Sequence, residues 1–297
     1  MAQDLQLDKY EIIVVDGGST DKTREIIKNY PVELIVDKNG SIAHGRNIGA
    51  EVSRGRYVAF IDADCIAEKS WLKKLMESID ECDDDVCAVG GPNLIFDGDP
   101  TFSKVIGYMQ QTFFGSGGSP QSYKISTSCY VSSIPNCNVL YRKEFVVKEK
   151  YDDTLNVGED CELNFRLRRK GYKFLYVPNV VVWHRRPSHI KEFTKKMFSY
   201  GEAAAKIMRK HKKIIRWYAI LPPLLILALI FAYPFIGLFS QAIYVYEFLI
   251  VAYLLGLIVS TAQVYRRQRI FLSLLTLMLL PLQHFSYGFG FLIGTLR

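Results

Sequence analysis

The chain has 297 residues, a formal net charge of +7 and 6 cysteines. The length leaves room for one large domain or two small ones. The positive charge does not mark a nucleic-acid binder. Much of it sits at Lys195-Lys196, Arg209 to Arg216 and Arg266-Arg267-Gln268-Arg269, beside long apolar runs, which is the pattern of a cytoplasmic membrane face. Cys65, Cys82, Cys87, Cys129, Cys137 and Cys161 include no Cys-x-x-Cys pair. That spacing argues against zinc and against a secreted disulfide framework, and it fits a reducing compartment.

Tyr10 to Asp16 is an apolar run closed by a carboxylate and predicts a buried strand. Gly17-Gly18-Ser19-Thr20-Asp21 reads as a turn and a helix start, with Ser19 or Thr20 as cap. The helix runs to about Asn29, with Ile26 and Ile27 facing inward. A strand over Val32 to Val36 and a turn at Asn39-Gly40 follow. Ser41 to Ser53 is the next helix, with Ile42, Ile48 and Val52 on one face. Tyr57 to Ile61 shows no alternation, so it reads as a strand buried on both faces that ends in Asp62-Ala63-Asp64. This βαβαβ order predicts a parallel α/β domain, whose strands present ligand groups at their C-terminal ends. Asp62 and Asp64, two residues apart, project to one side and can reach one ion. Hard oxygen ligands suit Mg²⁺ or Mn²⁺ bridging to phosphate oxygens. For so short a motif, a solvated acidic loop is the plainer alternative.

Lys69 to Glu81 reads as an amphipathic helix, Val86 to Gly91 as a strand, and Phe102 to Phe114 as a helix. Gly115 to Pro120 is a loop, either a lid or a connector. Asn136 to Arg142 is a polar-led strand. Thr154 to Gly158 is a loop, and a helix starts at Glu159 with Leu163 and Leu167 on its apolar side. Asp160 then lies in a first turn, where an ionised carboxylate is favoured. Val180 to His184 is a last buried strand. Residues 189–216 form a basic amphipathic segment, with Phe193, Met197, Phe198 and Met208, that reads as an interfacial helix. Three apolar runs, 217–239, 243–265 and 270–294, reach the roughly 20 residues a bilayer core requires. Basic residues precede the first run and separate the second from the third. This predicts a multi-pass protein of the cell membrane with residues 1–188 in the cytoplasm. Pro281 and His284 leave the third run open to a kinked or re-entrant path, and Gly290 and Gly294 permit close helix packing.

Val14-Val15-Asp16-Gly17-Gly18-Ser19-Thr20-Asp21, Arg46-Asn47-Ile48-Gly49, Asp62-Ala63-Asp64 and Gly158-Glu159-Asp160-Cys161-Glu162-Leu163 occur in that order. Arg166-Leu167 and Lys170-Gly171-Tyr172 stand behind the last of them. Together they resemble the inverting glycosyltransferases of family 2 over residues 10 to 186. The stretch His284 to Gly294 resembles the membrane-bound, succinoglycan-type branch that builds exopolysaccharide. The resemblance implies a GT-A fold, α/β with a mostly parallel sheet, followed by transmembrane helices. It also implies a nucleotide-sugar donor, UDP-linked, and a lipid-linked or glycan acceptor.

By the same resemblance, Asp16 bonds the nucleotide base, Arg46 meets phosphate, and Asp62 lies near the ribose and the metal. Asp64 ligates Mn²⁺ or Mg²⁺, His184 completes the metal shell, and the ion neutralises the diphosphate leaving group. Asp160 is the general base, and Glu159 orients acceptor or metal-bound groups. Asn136, Asn138 and Arg142 fall on the acceptor side. Each residue has a plainer alternative: a capping Asp16, a surface Arg46, a structural His184, an ordinary acidic first turn at Asp160.

The family's opening strand and helix do not precede Tyr10, so the expectation is a domain with unpaired inner strand edges and weak activity on its own. Two other readings stay open. One is a polyprenyl- or dolichyl-phosphate sugar synthase, whose phosphate acceptor needs little general base. The other is a non-catalytic membrane subunit with a degenerate donor site. A processive synthase is discounted, because Arg216-Trp217 has no glutamine three residues before it.

Overall fold

The computed structural model describes residues 3–38, 40–117, 125–212, 214, 217–238, 242–268 and 271–297. Residues 118–120 of the expected 115–120 loop, Asn39 of the expected turn, and the side chain of Trp217 lie outside the described residues. The chain divides into two units. The first comprises Met1–Leu94 and Tyr123–His184, the second Ile95–Ser122 and Arg185–Arg297.

The first unit opens with β1 (Ile13–Asp16), α1 (Thr23–Ile27), β2 (Glu33–Val36), α2 (Ile42–Val52) and β3 (Tyr57–Phe60). The βαβαβ order of the sequence is therefore present. Its all-parallel pairing is not. β1 and β2 pair in parallel as a two-stranded sheet of their own. β3 pairs antiparallel with β8 (Val139–Arg142), setting Phe60 opposite Val139. β8 in turn pairs antiparallel with β5 (Val86–Gly90), and β5 pairs in parallel with β9 (Lys173–Tyr176). β7 (Cys129–Val131) closes the order β3-β8-β5-β9-β7. A second small sheet, β4-β10-β6, is built from Cys65–Ala67, Val182–His184 and Asn93–Ile95. The sheets are mixed rather than mostly parallel. Local pattern specifies a strand, but its partner comes from far along the chain, and β3 meets a segment that follows it by some 80 positions.

β5 is the centre of the core, with all five of its residues buried. α3 (Trp71–Asp80) covers one face through Trp71, Leu75 and Ile79, which cluster with Val86, Val89, Leu140, Val180 and Val182. Leu75 and Ile79 are fully buried and contribute roughly 1.5–3 kcal/mol each. On the other face α6 (Lys143–Glu149) and α7 (Glu159–Arg169) join Leu163, Leu167, Phe145 and Val146 to Tyr141 and Phe174.

Two helix faces differ from the sequence reading. In α1, Ile26 is 55% exposed. In α2 the buried positions are Ala43, Asn47 and Ala50, while Ile42 and Val52 lie on the outside. α2 turns its small residues inward because it runs close to β1, where Gly45 and Gly49 face Val15.

The second unit holds α4 (Thr101–Gln110), α5 (Phe113–Ser116), α8 (Ile190–Lys210), α9 (Trp217–Leu238), α10 (Ala242–Gln268) and α11 (Thr276–Leu296). Two stretches are long and apolar enough to cross a membrane, Ile243–Arg267 and Leu272–Leu296, and a shorter apolar stretch covers Tyr218–Ile230. α8 runs alongside α11. Gly290 of α11 sits under the backbone of Phe198, and Gly201 of α8 under that of Tyr287. Phe193 and Met197 of α8, expected to face lipid, are buried with Leu279, Leu280, Val105, Ile106 and Met109.

Candidate active site

The site lies in the first unit, where four short segments end. Arg46 is the residue that joins them. It projects from the first half of α2 with its side chain 15% exposed. One terminal nitrogen donates to Asp62 Oδ1 at 2.8 Å, just past the end of β3. The other donates to Glu159 Oε1, the first residue of α7. Two acidic motifs far apart in sequence are thus clamped by one guanidinium, whose planar fork suits two carboxylates at once. Burial alone would push the Arg46 guanidinium down, but Glu159 and Asp62 more than offset it and hold the charge in place. Glu159 moves the other way. Burial, then the adjacent Asp160, raise its pKa against the opposing pull of Arg46.

Asp160 follows on the first turn of α7 and is only half-buried. Its Oδ1 accepts from the Cys161 N–H at 2.7 Å and its Oδ2 from the Asn136 N–H at 3.4 Å. Gly158 stands before the helix with φ of 79°, a left-handed conformation that any other residue would adopt at a cost. That turn brings Glu159 and Asp160 to the helix N-terminus, where negative charge is favoured.

The loop leading into α7 is fastened from α2. Asn47, next to Arg46, donates to the Tyr151 carbonyl at 2.9 Å and to Asp153 Oδ1 at 2.8 Å, and accepts from the Tyr151 N–H at 2.8 Å. Ser41 Oγ adds a bond to the Asp153 carbonyl. On the other side of α7, Asn164 accepts from the Tyr141 hydroxyl at 2.6 Å and donates to Ser133 and Ile134.

Asp16 ends β1. Both of its oxygens are engaged by the Ser19 N–H; its Oδ1 also accepts from the Ser19 hydroxyl, and its Oδ2 from Arg24 at 2.7 Å. The Ser19 hydroxyl first, and Arg24 after it, hold its carboxyl down at about 2.

Asp64 and Asp62 diverge. Asp62 turns to Arg46, whereas Asp64 Oδ2 stands 3.1 Å from His184 Nε2. His184 ends β10, directly opposite Cys65 in the antiparallel register. The expectation that both carboxylates reach one ion is thus not met in this arrangement: Asp64 and His184 pair a carboxylate with an imidazole, while Asp62 is held by Arg46, and both carboxylates remain partly exposed.

The three acceptor-side residues separate. Asn136 is buried; its Oδ1 accepts from the Tyr151 and Tyr141 hydroxyls, while its Nδ2 meets no partner among the described residues. Burial raises the Tyr151 hydroxyl well beyond its usual range, so it remains a donor. Asn138 is fully buried, accepting from Trp71 and donating to the Pro92 and Val180 carbonyls. Arg142 donates to the Val86, Ile79, Cys82 and Asp83 carbonyls. These last two correct the sequence reading: their polar groups hold the core, because a buried donor needs an internal acceptor. Asn47 and Tyr151 join the site through the loop that leads into α7. Asn47 beside Arg46 was the available signal in sequence, since an asparagine on the inner side of a helix needs partners.

Residues 2–147 match the family model described as glycosyl transferase family 2. The chain belongs to glycosyl transferase family 2. Among its relatives is the dolichyl N-acetyl-alpha-D-glucosaminyl phosphate 3-beta-D-2,3-diacetamido-2,3-dideoxy-beta-D-glucuronosyltransferase of Methanococcus voltae. It is 25% identical over 309 residues, spanning 99% of this chain and 90% of its own. The succinoglycan biosynthesis protein ExoA of Rhizobium meliloti is 27% identical over 214 residues, 68% of this chain and 62% of its own length. The crystal structure of S. aureus TarS 1–349 in complex with UDP aligns over 99% of this chain and 85% of its own, at 16% identity and a TM-score of 0.47. The matched stretch includes Asp16, Arg46, Asp62 and Asp64 and ends before Glu159 and Asp160.

Proposed function

We propose that this family 2 member is a membrane-bound inverting glycosyltransferase. It moves a sugar from a UDP-linked donor to a lipid-linked glycan acceptor at the cytoplasmic leaflet. The observation that carries the reading is the Arg46 bridge, which joins Asp62 to Glu159 and so sets Asp160, the next residue of α7, beside them. The Methanococcus voltae relative supports a lipid-linked acceptor, because its name gives a dolichyl phosphate sugar extended at a hydroxyl. A hydroxyl acceptor needs a general base, which a phosphate acceptor does not. The two apolar helical stretches support the membrane assignment.

In this reading Asp16 accepts from the nucleotide base, exchanging a bond now made to Arg24 or Ser19. Asp64 and His184 hold Mn²⁺ or Mg²⁺, which supplies charge neutralisation of the departing diphosphate. Asp160 takes the acceptor hydroxyl proton as that oxygen attacks the anomeric carbon. Glu159 stays with Arg46 and fixes the first turn of α7, so that Asp160 meets the acceptor at a set distance.

The test is UDP release by detergent-purified protein over a panel of UDP-sugars and lipid-linked acceptors. Asp160→Asn should lower kcat by about 10²–10⁴ while UDP binding persists. Full activity in a folded Asp160→Asn protein would refute the base assignment and point to a phosphate acceptor. No metal-dependent UDP binding in either protein would refute the donor assignment.

A further inference from the structure

We propose that Cys65, Cys137 and His184 form a binding site for a thiophilic divalent cation of the zinc class. Their ligand atoms all lie within 4.8 Å of one another. A tetrahedral zinc with bonds of about 2.0–2.3 Å spaces its ligands roughly 3.5–3.8 Å apart, so rotamer adjustments of about an ångström close the set. The backbone explains the meeting. Cys65 and His184 face each other across the β4–β10 register. Cys137 lies in the tight turn Asn136–Asn138 that feeds β8, and β8 is paired to the strand ending just before Asp62. The cluster is sheltered, with Cys137 5% exposed and the His184 side chain 12% exposed.

Asp64 adds the outer shell. Its Oδ2 stands 3.1 Å from His184 Nε2, the carboxylate–histidine contact that orients a metal-bound imidazole through its other nitrogen. Three protein ligands with two sulfurs and one nitrogen favour zinc over manganese or magnesium, which take oxygen. The fourth position is left to water. Sequence spacing gave no hint, since Cys65 and Cys137 are 72 positions apart and sit in no Cys-x-x-Cys pair.

The site stands on these side chains alone and does not depend on the transfer reaction. One consequence does rest on that reading. His184 cannot serve a hard ion with Asp64 and a soft ion with the two thiolates at the same time, so zinc would compete with manganese.

The full chain, purified in detergent and stripped of metal, is titrated with Co²⁺. The expected result is one Co²⁺ per chain, with a sulfur-to-cobalt charge-transfer band in the near ultraviolet and intense tetrahedral bands in the visible, both erased by Zn²⁺. Cys65→Ser should abolish the charge-transfer band or halve it, and weaken Zn²⁺ binding by more than about 100-fold, beyond the usual effect of an outer-shell loss. Cys82→Ser should leave both unchanged. Cys137 is buried, so its serine variant is read only if its melting transition persists; the half-buried Cys65 carries the test. Co²⁺ bound with a weak, octahedral, band-free spectrum would overturn the proposal. So would a thiolate band of undiminished intensity in folded Cys65→Ser. If the spectra behave as expected and Zn²⁺ leaves UDP release untouched, the metal site stands and the assignment of His184 to the manganese shell falls.

Discussion

Arg46 carries one positive charge between two carboxylates, and Glu159 is the more deeply buried of the two. Removing the guanidinium leaves a buried acid without its counter-charge. Breaking such a pair costs on the order of 3–5 kcal/mol, and the raised pKa of Glu159 places the outcome at the lower end, because the acid can take up a proton. Arg46→Ala is therefore expected to lower the urea midpoint at neutral pH, and part of the loss should vanish when the pH is brought below the Glu159 pKa. Arg46→Lys restores charge but not the two-pronged contact, so it should recover only part of the stability. A wild-type midpoint in Arg46→Ala would show that the bridge is not structural.

Asp16 has the opposite signature. It is held at about 2 in the folded chain, below the roughly 3.9 of an unfolded aspartate. Its ionised form is favoured by folding, so its contribution is complete above about pH 4 and is lost as the pH falls through the folded value. Asp16→Asn should flatten the stability profile between about pH 4 and pH 2, measured by urea unfolding across that window. An unchanged acid limb would exclude the Ser19 and Arg24 contacts as the cause. Asp16 and Glu159 were legible in sequence because one ends an apolar strand and the other opens a helix. Cys65 and Cys137 were not, because nothing local to them announces the partner that the fold supplies.

Elements show the same division between local and distant information. α7 begins at Glu159 as its sequence indicates, with Leu163 and Leu167 inward, since capping turn and apolar spacing are local facts. The inward face of α2 was not legible in that way. Ile42, Ile48 and Val52 made the apolar stripe, yet the strand beside the helix accepts only small side chains. The sheet order was equally hidden, because an apolar run says that a strand is buried and not which strand lies next to it. Helices α8 and α11 offer an element-scale test. A Cβ at Gly201 would come within 2.0 Å of the Tyr287 carbonyl oxygen, which is backbone and cannot step aside. Gly201→Leu is expected to destabilise the detergent-solubilised protein by on the order of 1–3 kcal/mol or more, with a matching fall in melting temperature. An unchanged melt would mean that the two helices do not rely on this contact.

At the scale of the molecule, the basic clusters beside α9 and α10 and the two long apolar stretches lead to one expectation. Membranes from cells expressing the full chain should retain it after an alkaline carbonate wash. Release into the supernatant would mean that these helices are covered by protein and cross no bilayer. The interleaving of the two units has a consequence of another kind. The chain leaves the first unit after Leu94, returns at Tyr123 and leaves again after His184. A protease that cuts only near Arg185 would therefore yield an amino-terminal fragment that still carries Ile95–Ser122, the second unit's first portion. Two cleavages, one on each side of that insert, would break the first unit's own polypeptide as well. No single nick therefore yields two fragments that each match one unit, because the insert stays covalently joined to the amino-terminal piece.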